Sequence, residues 1–100
     1  MRALQATEVV SALVHLPGWR LHGQDEQVAI EKEWRFPSHA QAMLFVNRLA
    51  WLAETLDHHP ELVVCHTHCV VRWRTHDVKG LSELDFEAAR RTESLSTAPR

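Results

Sequence analysis

The chain has 100 residues, 45% hydrophobic and 24% charged, with a formal net charge of −2 and eight histidines. That length and apolar content fit one folded domain with a modest core, exclude a disordered chain, and make association with further copies a natural way to bury more surface. The densest basic patches, RWRTH and ARR, are both interrupted, which excludes a nucleic-acid footprint, and no run approaches the ~20 apolar residues that span a bilayer.

In chain order, residues 4–16 place Val10, Leu13, Val14 and Leu16 at helical spacing, with Thr7 as N-cap and Pro17-Gly18 as the stop. WRLH and QVAIEKEWRF then flank the polar GQDE as a hairpin, with Val28, Ile30, Trp34 and Phe36 at alternate positions and Lys32 the exception on that face. Ser38 and Gln41 have capping-box spacing after Pro37. From there Ala42, Phe45, Val46, Leu49, Ala53 and Leu56 recur at three and four, predicting a helix from His39 to Asp57 or His58 that Pro60 ends. LVVCH and HCVVRWRTH read as two strands about a turn near Thr67, with Cys69, Val71, Trp73 and Thr75 on one face and Arg72 and Arg74 on the other. Gly80 breaks the chain, and Ser82 followed by Asp85 opens a last short helix. The domain is expected over residues 1–94, with 95–100 a disordered tail.

This order of helix, hairpin, long helix, hairpin and short helix predicts an α+β fold: a four-stranded antiparallel sheet with helices packed on one face. Cys65 and Cys69 lie in a strand-like run roughly 13 Å apart if extended, too far for a disulfide. Reduced thiols and the lack of a signal-peptide core predict a cytoplasmic protein.

Five of the eight histidines, His58, His59, His66, His68 and His76, fall within nineteen positions. In ETLDHHPE, residues 54–61, Glu54, Asp57 and His58 share one helix surface while His59 points elsewhere, and a helix C-terminus favours imidazolium. Surface or capping groups, a zinc site and a metal-free acid–base site are all open on the residues alone. The spacing matches no compact zinc pattern, since neither CxxC nor HExxH occurs. An acid–base site needs histidines oriented by carboxylates, and His76 beside Thr75 and Asp77 could meet the helix end to complete one.

Residues 54–85 resemble the signature of the pterin-4a-carbinolamine dehydratases: Glu54, then His58-His59-Pro60, then a strand pair, Thr75-His76 and Asp85. Gly18-Trp19 and the alternation in IEKEWRF extend the resemblance over residues 10–92. It implies dehydration of 4a-hydroxytetrahydropterin to quinonoid dihydropterin, recycling the cofactor of aromatic amino acid hydroxylases, with the pterin as substrate, no metal and no cofactor. Carried over, His58, His59 and His76 form the catalytic trio, with His59 and His76 transferring protons and His58 orienting or stabilising the substrate. Glu54 and Asp57 would position imidazoles, Asp85 would hold His76 in one tautomer, Thr75 and Asp77 would contact the pterin, and Trp19 would form an aromatic wall. His66 departs from the family's usual aromatic, and Trp73 from its usual aliphatic. The resemblance further implies a homodimer or homotetramer. Two alternatives accompany it: a non-catalytic dimerisation or coactivator module whose protein partner the sequence does not mark, and an acid–base enzyme for a different pterin-like heterocycle, with His66 contributing.

Overall fold

The structure, a computed structural model, describes residues 1–96. Its elements are α1 (Ala6–Leu13), β1 (Arg20–His22), a one-turn 3-10 helix (Asp25–Gln27), β2 (Ala29–Arg35), α2 (His39–Leu56), β3 (Glu61–Val64), β4 (His68–Trp73), a second 3-10 turn (His76–Val78) and α3 (Glu83–Ser96). The four strands form one antiparallel sheet in the order β1-β2-β4-β3. Passage of the chain through α2 carries β3 to the far edge, and the tight return places β4 in the centre.

Strand alternation decides which face is covered. Ile30 and Trp34 of β2 and Cys69, Val71 and Trp73 of β4 are buried with Phe45, Leu49 and Ala53 of α2 and Phe86, Ala88 and Ala89 of α3. Lys32, the polar exception on this face, is accommodated by its partners. Its Nζ donates to Glu93 at 2.6 Å and lies 4.3 Å from the centre of the Trp34 ring.

The uncovered face carries a different order. Register sets Arg20, Glu31, Arg72 and Glu61 side by side across all four strands, an alternating row of charge. Opposite charges directly across a strand pair attract, so the row reinforces the register that creates it. Glu31, only 4% exposed, accepts from Arg20 Nε and Arg72 Nε at 2.7 Å each. Burial pushes its carboxyl up, but the hydrogen bonds from Arg72 and Arg20 outweigh that and hold it below its ordinary range.

The helices hold the differences from expectation. α2 starts where the pattern places it, with Ser38 Oγ accepting from Gln41 N at 3.2 Å. α1 instead starts two residues earlier than Thr7 would set it, with Gln5 as its N-cap. Gln5 N donates to Glu8 Oε1 at 2.9 Å, and Arg2 clasps the same carboxylate at 2.7 Å, so Thr7 lies within the first turn. The chain tightens after Leu13, with His15 N and Leu16 N returning to Ala12 O and Leu13 O. This turn swings Leu16 into the core and leaves Val10 and Val14, expected on the inner face, 61% and 73% exposed. α3 is no short helix but runs 14 residues. Its inner stripe of Phe86, Ala89, Thr92 and Leu95 includes a polar member that masks the period. Thr92 Oγ1 donates to Ala88 O at 2.7 Å and accepts from Trp73 Nε1 at 3.1 Å, so the hydroxyl is satisfied inside. Leu95 packs on the core, which carries the helix past the boundary expected at residue 94. The remainder of the expected tail, 97–100, lies outside the described residues. Among the described residues, no helix is long and apolar enough to cross a membrane.

Candidate active site

The site begins where α2 stops. Asp57 adopts the left-handed conformation at φ 50°, its N–H donates to Glu54 O, and His58 N donates to Ala53 O at 3.1 Å. This paired return is a Schellman-type ending, which satisfies orphan carbonyls and reverses the chain within two residues. The reversal splits the histidine pair. His58 turns inward, its side chain 11% exposed, while His59 turns out, at 59%.

His58 lies on Trp73, ring centres 5.3 Å apart and planes inclined by 20°. Its Nε2 is 2.8 Å from Asp85 Oδ1, in reach to donate. Asp85 is fully buried near the start of α3. Its second oxygen accepts from Thr75 Oγ1 at 2.8 Å and from Ser82 N at 2.9 Å. Ser82 Oγ accepts from Leu84 N at 3.2 Å and lies 2.6 Å from Thr75 Oγ1. The Ser82–Asp85 box therefore does two jobs. It caps α3, and it spends the capping carboxylate on the end of α2 and the end of β4. A buried carboxylate would be costly without these donors.

The consequence is positional. Asp85 fastens His58 and Thr75 to opposite oxygens of one group, and each is followed in the chain by an exposed histidine, His59 and His76. The sheet agrees. Glu61 pairs with Arg72, so continuing that ladder past its last pair sets residue 59 beside residue 74. His59 and His76 thus leave the fold at the same end of the β3–β4 pair. His59 is held from outside by Glu54, Nε2 to Oε2 at 2.5 Å. Asp57 and Asp77 are exposed at the same end.

Several sequence assignments change against this geometry. Asp85 orients His58 and not His76, because its buried oxygens are met by His58, Thr75 and Ser82 while His76 stands outside on a 3-10 turn beyond the end of β4. Thr75 is buried with its hydroxyl committed to Asp85 and Ser82, so it supports the site and does not offer that hydroxyl to a ligand. Trp19 is no aromatic wall: it is 6% exposed, part of the core, and donates from Nε1 to Glu93 at 3.0 Å. His66 sits in the β3–β4 turn, where its carbonyl lies 2.8 Å from His39 Nδ1 and the rings are 5.5 Å apart. The length of β3 separates it from His59, so it belongs to the opposite end of the sheet. Sequence reasoning gave Ser82 only as a cap and Trp73 only as core filler. The Ser-x-x-Asp spacing beside a Thr-His pair was the available signal for the first, and nothing local marked the stacking of the second.

Both cysteines are free, and burial pushes the Cys69 thiol up to about 11, with Cys65 adding to the shift. Among the described residues, no three His, Cys, Asp or Glu side chains converge to hold a metal ion.

A buried carboxylate that fixes one histidine and a threonine, with two outward histidines beside them on a four-stranded sheet, marks a small α+β domain with a histidine-rich rim. The profile of the family described as pterin 4 alpha carbinolamine dehydratase matches residues 2–95, and the chain belongs to that family. A relative from Paracidovorax citrulli, provisionally named pterin-4-alpha-carbinolamine dehydratase, is 48% identical over 97 residues, covering 97% of this chain and 84% of its own. One from Xanthomonas oryzae with the same provisional name is 42% identical over 92% of this chain and 76% of its own. The crystal structure of a transcriptional coactivator/pterin dehydratase from Brucella melitensis superposes with a TM-score of 0.87 at 33% identity, covering 94% of this chain and 98% of that one. A pterin dehydratase-like protein identified as a RuBisCO assembly factor of the alpha-carboxysome shares the fold, with a TM-score of 0.70 at 24% identity over 85% of this chain and 96% of that one.

Proposed function

We propose that the protein dehydrates a 4a-hydroxytetrahydropterin to the quinonoid dihydropterin and water. The observation that carries this reading is the double anchorage of Asp85, which sets His59 and His76 at one end of the sheet. The reaction breaks the C4a–O bond and a ring N–H bond. It needs one group to protonate the departing hydroxyl and another to accept the nitrogen proton. Imidazole suits both roles because its ordinary pKa lies near neutrality. His59 and His76 are the proton-transfer pair. Glu54 holds the His59 ring, while Asp57 and Asp77 offer acceptors to the N–H groups of the heterocycle. His58, the third histidine of the signature, is enclosed with Nε2 on Asp85, and its contribution is to hold the turn that presents His59.

A coupled assay tests this. An aromatic amino acid hydroxylase generates the 4a-hydroxytetrahydropterin, and its decay is followed with wild type, His59→Ala and His76→Ala, each with and without chelator. The expected result is acceleration by wild type that survives chelator and falls at least ~100-fold in each variant. No acceleration by folded wild-type protein would overturn the reading.

A second reading has its own support. Leu44 and Trp51, seven residues apart on α2, are 48% and 75% exposed, and the Brucella relative is described as a transcriptional coactivator as well as a dehydratase. An exposed Trp beside a Leu is the composition of an interface, so α2 is a candidate surface for self-association into a dimer or tetramer, or for a protein partner. Sedimentation of wild type and Trp51→Glu separates these: a change in mass assigns the surface to self-association.

A further inference from the structure

At the rim between the two outward histidines stands Arg74. It precedes Thr75-His76 in the chain, and the extended β3–β4 register places it beside His59. Its guanidinium is poorly provided for. Nη1 donates to Gln27 Oε1 at 3.1 Å, Nη2 lies 3.5 Å from Glu61 Oε1, and Nε is buried with no acceptor among the described residues. Glu61 is itself half exposed and shared with Arg72 Nη1 at 3.4 Å. The contrast with Arg72 is instructive: one residue pair away, its Nε reaches Glu31 at 2.7 Å. An arginine has five N–H donors in a fixed fork, and a buried one left unpaired costs free energy. A fold that satisfies Arg20 and Arg72 so closely leaves this one open at the end of the sheet where the histidines emerge.

We propose that Arg74 recognises the substrate, donating from the Nη N–H groups that Gln27 and Glu61 leave uncommitted to the ring carbonyl oxygen of a pterin bound between His59 and His76. The inference rests on the pterin reading above and deepens it. It makes the preferred ligand a heterocycle with a carbonyl on the edge that faces Arg74. The surrounding carboxylates, Glu54, Asp57, Glu61 and Asp77, make the rest of the rim acidic, so Arg74 is the donor suited to an acceptor edge while they suit the N–H edge.

The test is equilibrium binding, followed by ligand fluorescence, of two stable probes: pterin, and 2-aminopteridine, which lacks the carbonyl. Wild type is expected to favour pterin by about tenfold or more, the value of a hydrogen bond from a charged donor. Arg74→Gln, shown to be folded by circular dichroism, is expected to lose that preference, and Arg74→Lys to keep part of it. A folded Arg74→Gln protein that still prefers pterin as strongly as wild type overturns the role of Arg74 and leaves the pterin reading standing. Wild type that binds neither probe overturns both. Binding of the pair does not depend on turnover, so failure in the dehydratase assay alone leaves this experiment readable.

Discussion

Among the described residues two carboxylate side chains are buried, and they are stabilised in opposite ways. Asp85, inside the helical layer, is met by a hydroxyl, a backbone N–H and one imidazole, drawn from β4, the α3 cap and the α2 end. Glu31, on the uncovered sheet face, is met by two guanidinium groups on neighbouring strands. Guanidinium charge solves the desolvation problem with little demand on where the rest of the chain lies, because the long side chains reach inward from positions that register already fixes. A hydroxyl, a backbone N–H and a short imidazole must be brought to the carboxylate by the fold. The first arrangement stiffens a sheet. The second locks three segments into one geometry, and that is what an active site requires.

The largest effect that would break the comparison is at Asp85. Asp85→Ala leaves Thr75, Ser82 N and His58 without their common acceptor, and unfolding in urea is expected to show a loss of about 4 kcal/mol. Asp85→Asn keeps the shape, and in the coupled assay it is expected to retain most of the fold while losing at least ~10-fold in rate, since an amide cannot serve all three donors as acceptor. Glu31→Gln comes next. It is expected to cost about 2 kcal/mol in the same urea experiment, with dehydratase rate within about twofold of wild type. A rate loss as large as that of Asp85→Asn would erase the distinction between the two carboxylates.

The pH dependence sharpens the same contrast. The Glu31 carboxyl lies below its ordinary range in the folded state. Its contribution to stability is therefore complete above the ordinary carboxylate range and is lost as pH falls through the lower folded value. Urea midpoints of wild type and Glu31→Gln are expected to differ at pH 7 and to approach one another on acidification. A gap that stays constant down to acid pH would show that the difference does not come from the ionised carboxylate. The smallest effect is at the satisfied hydroxyl in α3. Thr92→Val removes the acceptor of the Trp73 indole N–H and is expected to cost about 1 kcal/mol with no change in rate.

The sequence made the architecture readable wherever burial enforces a period. α2 and β4 are the clearest cases, because Ala42, Phe45, Leu49 and Ala53, and Cys69, Val71 and Trp73, all face one core. α1 was misread for the same reason in reverse: its valines satisfy a helical spacing, but the turn after Leu13 spends the inner position on Leu16. α3 looked short because Thr92 hid the stripe. At the site, the segments that carry His58-His59, Thr75-His76 and Asp85 do come together, but helical spacing grouped Glu54 with His58 and set His59 apart, whereas the structure pairs Glu54 with His59. What spacing could not carry was direction. Which of two adjacent histidines turns inward is decided by the left-handed Asp57, and which histidine Asp85 meets is decided by the docking of α3 on β4. Both are tertiary facts with no local signature. Trp19, an aromatic wall by the family resemblance, instead fills the core with its ring while its N–H finds Glu93, a burial that the resemblance does not carry.

The late position of Asp85 in the chain has a consequence for how the protein comes into being. Every group that fixes the rim precedes it, Ser82 by a single helical turn, and the helix that holds it docks through residues as far along as Thr92 and Leu95. During synthesis, the sheet and α2 can pair while α3 is still being added, yet His58 Nε2 has no carboxylate to meet until α3 arrives. Assembly of the site therefore coincides with completion of the domain. A chain halted or clipped before α3 carries all three histidines and the Glu54–His59 pair but lacks the carboxylate that ties His58 to Thr75, so the joining of those two ends is a clock for the last step of folding.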